Sequence, residues 1–74
     1  MLSFEVLEDG EKIQILCDKE GLAALLENLG YLVRTGDHVH LRGPSGGGSV
    51  LSETTPFGGR AVSEVIIDFN PNYD

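Results

Sequence analysis

Two histidines, one cysteine and, among five serines, Ser45, Ser49 and Ser52 are the residues of this chain considered first for chemistry. His38-Val39-His40 places two imidazoles on one side of a strand, a spacing shared by many metal sites. Two ligands leave a coordination sphere incomplete, and the candidates for a third are Asp37, Glu64, Asp68 and the distant Cys17. Strand alternation predicts that Asp37 points to the opposite face. The pair therefore reads first as two half-exposed histidines, with His38 and His40 as the candidate metal ligands of an alternative reading. A histidine-triad hydrolase would need a third histidine at position 42, which holds Arg42. Ser45, Ser49, Ser52 and Cys17 lie in no nucleophile elbow or other activating motif. In Gly43-Pro44-Ser45-Gly46-Gly47-Gly48-Ser49 the lysine of a phosphate-binding P-loop is absent and β-like residues follow. No catalytic residue and no cofactor are predicted, and the chain is not expected to be an enzyme.

The elements that must carry these residues follow from periodicity. Residues 1–17 predict a β-hairpin about Asp9-Gly10, with cross-strand positions summing to nineteen, so that Val6 faces Ile13, Phe4 faces Ile15 and Leu2 faces Cys17. Residues 18–30 predict a helix. Asp18 is its N-cap, Leu22, Leu25, Leu26 and Leu29 form its apolar stripe, and Gly30 is its left-handed terminator. Residues 37–69 hold further strands: Asp37 to Arg42, with Val39 and Leu41 inward, and Ala61 to Phe69, with Ser63, Val65, Ile67 and Phe69 on one face. Between them runs a glycine-rich loop, 43–60, which a short strand at 49–52 could interrupt. Residues 70–74 predict a flexible tail. The expected fold is a single small α+β domain, β-β-α-β-(β)-β, whose one antiparallel sheet carries the helix on one face. Its core is expected to comprise Phe4, Val6, Ile13, Ile15, Leu22, Leu25, Leu26, Leu29, Val39, Leu41, Val65 and Ile67.

Seventy-four residues are enough for one core only. Twelve acidic against five basic residues give a net charge of −7, which repels phosphates and anionic lipid and argues against nucleic acid or membrane partners. A lone cysteine excludes an internal disulfide and suits a reducing compartment. The opening Met1-Leu2-Ser3-Phe4-Glu5 carries no basic n-region, so a Sec-type signal peptide is not expected and a cytoplasmic location is.

One helix covers one side of a sheet. On the other side Leu7, Leu16, Val62 and Ile66 are expected to form an apolar group rimmed by carboxylates and the two histidines. Such a face suits a heterologous partner or a homodimer, unless the glycine-rich loop folds over it. The partner-binding residues expected here are Glu5, His38, His40, Glu64, Ile66 and Asp68, extended by Glu53 of the loop.

Gly36-Asp37-His38-Val39-His40-Leu41, followed by Pro44-Ser45, Gly46-Gly47 and Leu51-Ser52-Glu53, resembles the thirty-second class of immunity proteins of bacterial polymorphic toxin systems. The likeness extends back to Glu20-Gly21-Leu22 and forward to the β-rich end. In the family pattern an aromatic residue stands between the serine and the paired glycines. Here Ser45 runs directly into Gly46, and Thr54 to Arg60 is an added stretch. The resemblance implies a small α+β protein that neutralises a cognate toxin inside the producing cell by stoichiometric binding. The charge suggests a toxin with a basic surface. The rivals are a metal-binding protein or enzyme using His38 and His40, and a self-associating structural domain.

Overall fold

The computed structural model describes residues 1–72. It contains β1 (Leu2–Val6), β2 (Ile13–Cys17), α1 (Lys19–Thr35), β3 (His38–Arg42), a 3-10 turn (Pro44–Gly46), β4 (Arg60–Ala61) and β5 (Glu64–Asp68). The α+β class is as expected. Among the described residues no helix is long and apolar enough to cross a membrane.

The hairpin has the expected register, Leu2 facing Cys17, Phe4 facing Ile15 and Val6 facing Ile13. Gly10 takes a φ of 70°, the left-handed conformation that a tight turn after Asp9 demands. Asp18 caps α1 by accepting the Gly21 N–H at 2.9 Å. The helix does not stop at Gly30. It runs on to Thr35, where Gly36, at φ 64°, donates its N–H to Leu32 O. The extra turn and a half is held by Leu32, 4 % exposed within the core.

Gly21 sets the rotation of α1. A Cβ there would stand 1.7 Å from the Met1 carbonyl oxygen, so the helix meets β1 at this point and only glycine fits. The line through Gly21, Leu25 and Leu32 therefore faces the core. At 3.6 residues per turn, Leu22, Leu26, Leu29 and Val33 lie about 100° away from that line. This corrects the expected core: Leu22, Leu26 and Leu29 are exposed, as are Ile13 and Ile15 on β2. Phe4, Val39 and Leu41 are buried together with Leu2, Leu32 and Leu51, and Leu25, Val65 and Ile67 pack against them.

The strands form two antiparallel sheets rather than one, β2-β1-β4 and β3-β5. The cause lies at Val62-Ser63, where the C-terminal segment changes partners. Val62 donates to Phe4 O at 2.9 Å and so extends the β1 edge, while Ser63 O accepts the Gly43 N–H at 2.8 Å beside β3. The expected strand 61–69 is thereby divided. Nor is 49–52 a strand: the N–H groups of Val50 and Leu51 both reach Arg42 O, and Ser52 donates to Leu2 O at 2.7 Å. Of the expected tail, Asn70 accepts the Asn72 N–H in a local turn, and residues 73 and 74 lie outside the described residues.

Candidate functional site

The β3-β5 ribbon sorts its side chains by alternation. Val39, Leu41, Val65 and Ile67 turn to the core, and His38, His40, Arg42, Glu64, Ile66 and Asp68 turn outward. Register pairs them across the strands: His38 with Asp68, His40 with Ile66 and Arg42 with Glu64. Five of the seven expected partner-binding residues thus stand on one exposed face.

At one end of this face Glu64 Oε2 meets two donors, His40 Nδ1 at 2.7 Å and Arg42 Nε at 2.9 Å. A carboxylate oxygen only accepts, so Nδ1 of His40 carries the hydrogen and Nε2 remains for solvent or a partner. The His40 hydrogen bond, and then that from Arg42, hold the Glu64 carboxyl below its ordinary range. Beside them the His38 and His40 rings stack edge to face, with centroids 5.0 Å apart. Asp37 departs from its expected orientation: its Oδ1 lies 2.9 Å from His38 Nδ1. It precedes β3, so strand alternation does not govern it. Ile66, 59 % exposed, is the apolar member of the face. Three carboxylates, Asp37, Glu64 and Asp68, oppose one guanidinium there.

The other two expected residues serve internal roles. Glu5 is 2 % exposed and lies beneath the glycine-rich loop, accepting the Gly59 N–H at 2.6 Å and the Phe57 N–H at 3.3 Å. It cannot steer a partner. The division into two sheets also separates Glu5, Leu7 and Leu16 from Ile66, and Val62 packs against the core, so the single apolar face expected across hairpin and last strand does not exist. Glu53 folds back on the Pro44–Gly46 turn, accepting both the Ser45 hydroxyl at 2.6 Å and the Ser45 N–H at 2.7 Å. These bonds lower its carboxyl from the ordinary range, the hydroxyl contributing most. The loop is thus pinned at both ends, by Glu53 at its start and by Glu5 at its finish.

Among the described residues no group of three or more His, Cys, Asp or Glu side chains is placed to hold a metal ion. Cys17 sits on β2 against the core, in the other sheet from the histidines. Sequence reasoning missed the outward stripe of α1 and its neighbours Ile13 and Ile15. The signal was present in Val33, which continues the Leu22-Leu26-Leu29 line while Leu25 and Leu32 form a second line beside it. Comparison with family models, curated proteins and solved structures finds no match to this chain.

Proposed function

We propose that this protein is an immunity protein that binds a cognate toxin stoichiometrically in the cytoplasm and carries out no turnover. The observation that carries the reading is the outer face of β3-β5, where exposed Ile66 faces His40 and is flanked by Glu64, Asp68, His38 and Arg42. An apolar centre with a charged rim is the anatomy of a protein interface. Its carboxylates, on a chain of net charge −7, favour a partner with a basic surface and accelerate its arrival. The resemblance of Gly36 to Glu53 to the immunity class supports the same reading, because His38 and His40 belong both to that stretch and to this face. Glu64 aligns the face: by holding His40 and Arg42 it limits the rotamers that binding must freeze.

Co-expression with the product of the adjacent reading frame tests the proposal. A one-to-one complex that survives gel filtration, and loss of toxicity only when this chain is present, are expected. An adjacent product that is neither bound nor toxic would contradict it.

A further inference from the structure

The structure leaves one large apolar surface uncovered, and it lies away from the face just described. On α1, Leu22, Leu26, Leu29 and Val33 form a stripe in which Leu26 is 59 % and Val33 78 % exposed. On β2, Ile13 and Ile15 are 65 % and 47 % exposed. Register places these isoleucines on the sheet face that carries Leu2 and Phe4, the face on which α1 packs. A right-handed helix entering from Cys17 with Gly21 and Leu25 against β1 turns the displaced stripe toward the β2 side. Stripe and isoleucines therefore form the wall and floor of one trough.

The trough ends at an open strand. β2 is the edge of its sheet among the described residues. Even-numbered residues of β2 bond to β1, as Lys12 O does to Leu7 N, so the backbone groups of Ile13, Ile15 and Cys17 point outward. Ile13-Gln14-Ile15-Leu16-Cys17 holds no proline and no charge, the devices that usually guard an edge.

The geometry points to a second copy of this chain as the occupant, in a two-fold dimer that pairs β2 with β2 antiparallel and joins two three-stranded sheets into six strands. Centring the pair on Ile15 sets Ile15 against the partner's Ile15 and Ile13 against the partner's Cys17. The same register brings Lys12 opposite the partner's Asp18, the residues that flank β2, so both ends of the seam match in charge. A helix lying over the β1-β2 hairpin would stand about 10 Å from its two-fold mate, the spacing of packed helices, with the leucine stripes facing one another above the isoleucines. The six residues of the trough include no carboxylate. Two chains of charge −7 can meet there without opposing their negative groups, whereas a basic partner would find nothing there to attract it. From the exposures, on the order of 500 Å² per copy would be covered, about the minimum for a specific interface, so a micromolar dissociation constant is expected.

Sedimentation velocity on the full chain between about 1 µM and about 1 mM, with circular dichroism to monitor folding, tests this. The wild type should pass from monomer to dimer. Ile15→Lys and Leu26→Glu should remain monomeric throughout. Because an apolar-to-charged change can affect folding, the exposed Lys12 beside β2 provides a second arm. Lys12→Glu should weaken the dimer roughly tenfold at low salt and much less at high salt, with the circular dichroism unchanged. A monomer at all concentrations, a dimer indifferent to Ile15→Lys and Leu26→Glu, or one indifferent to Lys12→Glu at low salt would overturn the proposal. Toxin binding through β3-β5 is a separate readout, and either result can fail without the other.

Discussion

Gly21 lies directly against the Met1 carbonyl, and this contact decides which side of α1 faces inward. Alanine is normally favoured over glycine within a helix by about 1 kcal/mol. Here the added methyl would strike backbone. Gly21→Ala is therefore expected to destabilise the domain by ~1–3 kcal/mol despite its higher helix propensity, as read by urea denaturation. An increase in stability would show that the helix is free to shift off β1.

The same rotation separates leucines that look equivalent in the sequence. Leu32 is 4 % exposed and Leu26 59 % exposed. Leu32→Ala should cost about 2–5 kcal/mol. In dilute solution Leu26→Ala should cost less than ~1 kcal/mol. Chemical denaturation of the two variants side by side checks the phase of the helix, and equal losses would refute it.

Glu5 is expected to be a structural carboxylate. Glu5→Ala leaves the Gly59 and Phe57 N–H groups without their acceptor and should cost about 1–3 kcal/mol. Hydrogen exchange should show faster opening of the loop from 53 to 61 than of β3. Gly59→Ala should act in the same direction, since a Cβ there would lie 2.3 Å from Val6 O.

Three carboxyls are held below their ordinary values: Asp18 by the N-terminal amine and then the Gly21 N–H, Glu53 by Ser45, and Glu64 by His40 and then Arg42. A carboxyl whose folded pKa is depressed stabilises the native state fully above its unfolded value. That contribution is lost as pH falls through the folded value. Melting temperature should accordingly hold between about pH 7 and 5 and decline through the carboxylate range below it. Glu64→Gln should make the acid decline shallower, and an unchanged slope would show that its bonds to His40 and Arg42 do not favour the folded state.

How much of this could be read from the residues depended on whether the interactions were local. Asp9-Gly10 and the alternation around it fixed a register that two strands can satisfy without help. The Asp18 cap is equally local. The end of α1 was misplaced because Gly30 has the right type for a terminator, yet burial of Leu32 outweighs it. The rotation of the helix, the loop pinned by Glu5 and Glu53, and the change of partners at Val62-Ser63 each depend on residues far apart in sequence, which no local pattern encodes. The outer face of β3-β5 was legible because period-two alternation of His38, His40, Glu64, Ile66 and Asp68 survives any arrangement that pairs those strands.

The most direct test of the account is the association rate of this chain with the product of the adjacent reading frame, measured at low and high salt for the wild type and for Glu64→Lys with Asp68→Lys. The account predicts that the double variant folds as the wild type does, associates at least about tenfold more slowly at low salt, and differs much less at high salt, because rim charges act through long-range steering. Identical rates at both salts would contradict the assignment of the β3-β5 face as the surface that meets the toxin.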